Sequence, residues 1–363
     1  MMSDAANLVF VPKQEHGLLV DALDQLLSDL AVNKNDWRSL WQQLAQAGIL
    51  SAALPESEGG LQDSRALALL AERLGRGGAI SPFISSAIAA TSLLSRVPRA
   101  DRLAQLREDL GSGSAIAAVC VPEQSPGDRG TITLIDGKLS GVAYLVPFGA
   151  EADFILLAAM EKDGAPVLAL VPKSDVTIEQ SVTGIDDARY ATLRLNKVAL
   201  KPEFELARGA EAERLIAWCK DVLVVMHCAE ALGAMSMLVD MTGDYLKVRH
   251  QFGEPLSAFQ VLRHRLVDMD MALTEARSVV ECAAGLIEED DASAREQAAM
   301  TTHFTVTRAA QKVSQDSVQL HGGIGMANET PVGGYFRRLM TLPLLFGDED
   351  ACAERYSADY RQK

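Results

Sequence analysis

The chain has 363 residues, 48% of them hydrophobic, which is enough for roughly two or three core-bearing units and too apolar for a disordered chain. Its 34 Lys and Arg against 49 Asp and Glu leave a formal charge of −15 with no long basic block. That balance argues against nucleic-acid binding, and any anionic ligand would need a local basic pocket. The cysteines (Cys120, Cys219, Cys228, Cys282 and Cys352) are scattered, odd in number and without a Cys-x-x-Cys pair. Neither a metal site nor a disulfide framework is therefore expected, and reduced thiols in a cytoplasmic protein are the simplest reading.

In chain order, Met1 to Asn7 lack a basic region followed by an apolar run, so no signal peptide is indicated. No uncharged apolar stretch reaches about 20 residues, so no membrane span is expected. From residue 13 to about 110 the chain reads as helices: Leu18, Leu19, Ala22, Leu23, Leu26, Leu27 and Leu30 recur at helical spacing, another helix covers Ser64 to Leu74, and Ile84 to Leu94 is strongly apolar. Between about 113 and 205 the texture changes. Ala115 to Val121, Thr131 to Ile135, Phe154 to Ala159, Val167 to Val171 and Ala191 to Leu195 are short apolar runs bounded by Gly, Pro or Asp, and read as strands of a compact all-β unit. Long helices return over Ala212 to Arg249, Phe259 to Glu288 and Ala294 to Leu320. The expected organisation is a helical domain over 1–112, a β domain over 113–205 and a helical bundle over 206–363.

The stretch richest in chemistry is Val248-Arg249-His250-Gln251-Phe252-Gly253-Glu254-Pro255, followed by Phe259-Gln260. A helix ends there, the chain breaks at Gly253 and Pro255, and a second helix starts. Arg249 offers a forked, permanently charged donor suited to phosphate, Phe252 a ring face, and Gln260 both a donor and an acceptor. A plain helix terminus with a cation and a Gly-Pro stop fits the same residues. Downstream, Gln319-Leu320-His321-Gly322-Gly323-Ile324-Gly325 follows a long amphipathic helix. Paired glycines there serve as C-caps, and they also let another backbone or a cofactor come close.

Taken together, Arg-x-x-Phe-Gly-x-Pro-x-x-x-Phe-Gln and, at a distance, Gln-x-x-Gly-Gly-x-Gly resemble the acyl-CoA dehydrogenase family of flavoproteins. Trp41 to Leu50 leading into Leu54-Pro55-Glu56-Ser57-Glu58-Gly59-Gly60-Leu61, then Gly149-Ala150-Glu151-Ala152-Asp153, Tyr245 to Arg249 and Arg337-Arg338 resemble further passages in the family's order. The resemblance implies an α+β fold of an N-terminal helical domain, a middle β-barrel or sandwich and a C-terminal four-helix bundle. It implies FAD as cofactor and oxidation of an acyl-CoA to a 2-enoyl-CoA, in which a carboxylate removes the α-proton.

Against that pattern, two parts of the chemistry look eroded. Where relatives place an aromatic and a Thr against the flavin ring, this chain has Leu145-Val146-Pro147-Phe148-Gly149, and the upstream passage is Val121-Pro122-Glu123-Gln124-Ser125-Pro126-Gly127-Asp128. The usual base positions hold Gly347 and Leu223. The nearby carboxylates Asp221, Glu230, Asp348 and Glu349 read first as solvated helix or loop residues, with Glu230 and Glu349 as the candidates for an unconventional base. The adenosine-diphosphate contacts, by contrast, match residue by residue: Arg249, Phe252, Gln260, Gln319, Gly322 and Gly323, which in the family reach a neighbouring subunit's FAD. His321 reads as a packing or hydrogen-bonding residue.

The combination implies the non-catalytic subunit of an α2β2 acyl-CoA dehydrogenase of the kind that acts on steroid-derived, bulky acyl groups. Its paralogous partner would hold most of the acyl-CoA, the flavin ring and the base, and an electron-transfer flavoprotein is a candidate electron acceptor. A self-sufficient homotetramer with an unconventional base, or a flavin-free scaffold or acyl-CoA-binding protein, are the alternatives. One FAD per chain when the protein is made alone is what the homotetramer predicts.

Overall fold

The computed structural model describes residues 14–29, 36–98, 100–121, 130–327, 330–348, 350–354 and 357. Its contacts group the chain into two compact units. One comprises Asn33–Leu67 and Ile80–Leu223, the other Met1–Val32, Ala68–Ala79 and Val224–Lys363. Two of the boundaries, 67/68 and 223/224, fall within helices, α3 (Ser64–Gly77) and α6 (Gly209–Val248).

The first of these units is built on a mixed sheet. Its helix α2 (Trp37–Gln46) starts at Asp36, whose carboxylate accepts from the Ser39 N–H, and it buries Trp37, Leu40, Trp41 and Leu44, the i, i+3, i+4, i+7 stripe of an amphipathic helix. The apolar run expected as one helix divides in two: Phe83–Ala90 is a fully buried π-helical segment, and α4 (Thr91–Arg96) continues it as an α-helix. Ser86 Oγ accepts from the Ala117 N–H at 2.9 Å and ties that segment to the first strand. Helix α5 (Ala104–Gly111) leads into the sheet.

The strands are β1 (Ala117–Cys120), β2 (Ile132–Ile135), β3 (Lys138–Pro147), β4 (Phe154–Glu161), β5 (Pro166–Pro172), β6 (Thr177–Thr183), β7 (Arg189–Ala199) and β8 (Glu205–Arg208). Their order is β6-β7-β3-β2-β4-β5-β8, with β1 also paired to β4. β1 and β2 run parallel to β4, and the other pairs are antiparallel. The apolar runs read from the sequence became β1, β2, β4, β5 and β7. β3, β6 and β8 carry a weaker signal: β6 is an edge strand exposed along nearly its whole length, so packing imposes no apolar alternation on it.

The second unit contains α1 (Gln14–Asp29), most of α3, most of α6, a small hairpin of β9 (His250–Gln251) and β10 (Glu254–Pro255), then α7 (Gln260–Leu286), α8 (Ala292–His321) and α9 (Val332–Phe346). α7 and α8 pack antiparallel. Arg265 near the start of α7 lies 3.8 Å from Asp316 near the end of α8, and Thr302 near the start of α8 donates to the Val279 carbonyl near the end of α7 at 3.1 Å. α3 and α6 touch through glycines: a Cβ on Gly75 would lie 1.9 Å from the Glu230 carbonyl oxygen, and one on Gly233 would lie 1.8 Å from that of Glu72. α6 is long and apolar enough by composition to cross a bilayer, contrary to the expectation from the sequence, but 72% of its apolar window is buried in the fold. The middle of this helix is apolar on most sides for the same reason a spanning helix is, because those faces meet other protein, while its ends carry exposed charges.

Candidate functional site

The helix-to-helix corner is a β-hairpin. β9 pairs with β10 through His250↔Pro255 and Gln251↔Glu254, so Phe252-Gly253 is a two-residue turn. Both turn residues have positive φ, 55° and 86°, which is the type I′ pattern whose twist matches paired strands. Type I′ turns favour Asn-Gly, and a phenylalanine in the left-handed region is uncommon. The result is an aromatic ring at the hairpin tip, 91% exposed, with its edge toward Phe259 at 6.1 Å between centroids. Arg249 stands at the hairpin's base: its amide closes the last turn of α6 onto the Tyr245 carbonyl, and its own carbonyl accepts from Leu256.

The end of α8 meets the end of α6 at this place. The Thr242 and Ser317 hydroxyls hydrogen-bond at 3.1 Å. One turn further along, the rings of Tyr245 and His321 stack at 4.5 Å with 24° between their planes. Gly243 faces Leu266 of α7. The two sequence motifs, some 60 to 70 residues apart in the chain, therefore lie at one end of the helical unit. Arg249, Phe252, Gln260, Gln319, Gly322 and Gly323 are all exposed. Among the described residues, the side chains of Arg249, Gln260 and Gln319 have no hydrogen-bond or ion-pair partner. The glycines divide by role. A Cβ on Gly322 or Gly323 would meet nothing within 4 Å among the described residues, whereas one on Gly325 would press on His321 and the Val318 carbonyl. Gly325 folds the turn back onto α8, and the first two leave a gap open to whatever approaches from outside.

A second cluster lies within the same unit and has the opposite character. Glu230 of α6 and Arg338 of α9 form an ion pair of 2.6 Å, with side chains 13% and 21% exposed, and His227 Nδ1 lies 3.4 Å from the other Glu230 oxygen. Burial pushes the Glu230 carboxyl up, but Arg338 and His227 outweigh it and hold the group at about 2. Phe346 packs between two imidazoles, with centroids 5.6 Å from His227 and 5.7 Å from His303. His303 Nε2 donates to the Gly347 carbonyl at 2.7 Å.

The remaining predicted positions are accounted for as follows. Asp221 and Glu230, expected as solvated, are not: Asp221 is buried and Glu230 is largely covered, its side chain 13% exposed. Leu223 is buried. Asp348 is exposed and caps a turn by accepting from the Ala351 N–H at 2.9 Å. Glu349 lies outside the described residues, as does the 122–128 passage. In the ring passage, Leu145 is half exposed with a left-handed φ of 52°, and Phe148 is buried edge-on against Trp37 at 5.4 Å. The aromatic residue of that passage is thus committed to the core. Among the described residues no group of His, Cys, Asp and Glu could hold a metal ion.

Comparison with known proteins gives a consistent answer. Residues 221–356 match the family model for the acyl-CoA dehydrogenase C-terminal domain. Acyl-CoA dehydrogenase FadE27 of Mycobacterium tuberculosis is 28% identical over 352 residues, spanning 89% of this chain and 85% of that one. The fold superposes on the ChsE4-ChsE5 complex from Mycobacterium tuberculosis with a TM-score of 0.88 at 23% identity, covering 98% and 99% of the two chains. It also matches a variant of the Tcur3481-Tcur3483 steroid ACAD at 26% identity, with a TM-score of 0.85 and 96% and 98% covered.

Residues 221–356 carry the acyl-CoA dehydrogenase C-terminal domain, and the chain is similar to acyl-CoA dehydrogenases over nearly its whole length. Its fold is that of the acyl-CoA dehydrogenases, helical at both ends with a sheet between. The family's members are oxidoreductases, and their cofactor is FAD. The residues present fit one half of that cofactor. An uncommitted guanidinium beside an open glycine turn suits a diphosphate, and two uncommitted amides and an exposed ring suit a nucleoside. Gly347, expected from the sequence at a base position, offers no base there, since it has no side chain and its carbonyl is held by His303. Glu230 is a poor base for as long as Arg338 holds its carboxylate.

The pairings missed in the sequence are Glu230 with Arg338, His303 with Gly347, and Tyr245 with His321. Only the last left a trace there. Thr242, Tyr245 and Arg249 on one helix, and Ser317 and His321 on another, are each spaced by one turn immediately before a motif.

Proposed function

We propose that this chain is a subunit of an FAD-dependent acyl-CoA dehydrogenase that forms a 2-enoyl-CoA, and that it clamps the adenosine-diphosphate half of FAD from across a subunit interface. The observation that carries this reading is the corner of Arg249, Phe252, Gln260, Gln319, Gly322 and Gly323. These residues are gathered at one end of the helical unit and are exposed, and the side chains of Arg249, Gln260 and Gln319 have no hydrogen-bond or ion-pair partner among the described residues. Arg249 would bind the diphosphate with charge-assisted hydrogen bonds. Gly322 and Gly323 would let the backbone approach it, and Gln260 and Gln319 would hydrogen-bond the nucleoside beside the Phe252 ring. FAD, when bound, supplies the hydride acceptor. The base, the flavin-ring contacts and most of the acyl-CoA site fall to a paralogous partner in an α2β2 assembly. This division agrees with the glycine at 347 and with the burial of Phe148. The steroid ACAD among the similar structures supports a bulky, steroid-derived acyl group as substrate, and an electron-transfer flavoprotein is the natural electron acceptor.

Flavin stoichiometry tests this reading. The chain is purified alone and co-expressed with the paralogue encoded beside it, and flavin absorbance is read per chain. No flavin alone and one FAD per pair is the expected result. One FAD per chain alone would instead indicate a self-sufficient homotetramer. No flavin in either preparation would leave a flavin-free scaffold.

A further inference from the structure

Two hydrogen-bonded and stacked pairs join α6 to α8 just before the proposed clamp. Thr242 and Ser317 are fully buried and hydrogen-bonded to each other, and Thr242 also donates to the Leu238 carbonyl at 2.6 Å. His321 is buried, its Nδ1–H donates to the Ser317 carbonyl at 2.8 Å, and its ring face lies on Tyr245. The hydrogen bond fixes the plane of the imidazole, and the stack then fixes where the last turn of α6 can lie. Arg249 follows Tyr245 by one helical turn and closes that turn through its own amide. Gly322 follows His321 directly and caps α8 on the Gln319 carbonyl. Neither ring belongs to the set of residues that would touch FAD, yet each sits one step behind members of that set.

We propose that Tyr245 and His321 are positioning residues: their stacked pair holds the Arg249 side of the cofactor clamp in register with the Gln319–Gly323 side, so that one diphosphate meets both. This inference rests on the reading of the corner as an FAD clamp. The two halves of the clamp come from separate helices joined by long stretches of chain. Without a fixed contact their spacing would vary by the slack between two helix ends, and charge-assisted bonds tolerate little misplacement.

The test uses the assembled, FAD-loaded protein and measures the FAD dissociation constant alongside the melting temperature for five single variants. Tyr245→Phe keeps the stack and should bind FAD as the parent does. Tyr245→Ala removes the stack, and His321→Phe keeps a ring but loses the donor to Ser317; each should weaken FAD binding by about tenfold. Glu230→Gln is the stability control: it should lower the melting temperature without moving the dissociation constant. Arg249→Ala reports on the clamp itself. If Tyr245→Ala and His321→Phe bind FAD like the parent while Arg249→Ala binds it weakly, the clamp stands and the positioning role is overturned. If Arg249→Ala also binds like the parent, the clamp reading fails and the positioning role with it. If Glu230→Gln weakens FAD binding as much as Tyr245→Ala does, the effect is one of general stability and the positioning role is again overturned.

Discussion

Within one helical unit, two clusters of similar residue types have been put to opposite use. At the α6–α9 contact, Glu230, Arg338, His227, Phe346, His303 and Gly347 satisfy one another: a buried carboxylate has its cation, and a buried carbonyl has its imidazole. At the end of α6, α7 and α8, Arg249, Gln260 and Gln319 are exposed and have no partner among the described residues. Both regions hold an arginine and both hold a glycine with positive φ, so residue type does not separate them. Partnership does. A buried polar group must be paired within the protein or it costs stability, whereas an exposed, uncommitted group can be reserved for a ligand at no such cost. The cluster that looks most like a catalytic triad, with its carboxylate and two imidazoles, is therefore the structural one, and the cluster that looks like a surface turn is the proposed binding site.

Substitutions can break or sharpen this contrast, and the largest effect is expected at the buried cluster. Glu230→Ala removes the anion paired with the largely covered Arg338 and should destabilise the protein by about 3 kcal/mol, read as a fall in the denaturant midpoint. A change in flavin affinity out of proportion to that loss would undo the separation of the two regions. Arg249→Ala should do the reverse. It should weaken FAD binding by about 1.5–3 kcal/mol, and stability should move by no more than about 0.5 kcal/mol. Isothermal titration of FAD into stripped complex and a thermal melt read the two quantities separately.

Replacing the residue at the usual base position sharpens the comparison from the other side. Gly347 has φ 100° and ψ 155°, a conformation open almost only to glycine, and a Cβ there would lie 3.2 Å from Ala351. Gly347→Glu should cost about 1–3 kcal/mol and yield no dehydrogenase activity from this chain alone. Turnover of an acyl-CoA by that variant without a partner would show that a base is all the chain lacks. The smallest effect is expected at the hairpin tip. Phe252→Gly relieves the left-handed φ of 55° and should raise stability by up to about 1 kcal/mol while lowering FAD affinity through loss of the ring. A gain in both would remove Phe252 from the clamp.

The buried ion pair also sets an acid limit. The folded Glu230 carboxyl is held at about 2, against 4.5 for an unperturbed glutamate. Its contribution to stability is present in full above the higher value and is lost as pH falls toward the lower one, because the unfolded chain takes up the proton first. Acid unfolding of the parent should therefore steepen between pH 4.5 and about 2, and Glu230→Gln should flatten that part of the profile.

Much of this protein was legible without coordinates. The long helices follow from the 3.6-residue spacing of Leu, Ala and Val, α8 among them as a long amphipathic run whose Asp291 cap the structure adds. Five strands follow from apolar runs between turn residues. The resemblance to the family, and with it the six residues of the proposed clamp, rests on two motifs of glycine, arginine and glutamine. Local chemistry of this kind is carried by residues near one another in the chain, and so it is written in the sequence.

Other features needed the fold. β6 escaped because an exposed edge strand has no side that must be apolar. The type I′ hairpin escaped because Phe252 stands where Asn is usual, so the turn looked like a helix stop. Glu230 was read as a solvated residue because nothing within its own helix reveals that Arg338, 108 positions later, lies 2.6 Å away. The sequence by itself determined which groups this chain has to offer and which helices and strands carry them. Which of those groups are consumed in holding the protein together and which are left over for a ligand was decided by tertiary structure alone, since pairing depends on distances between residues that the chain keeps far apart.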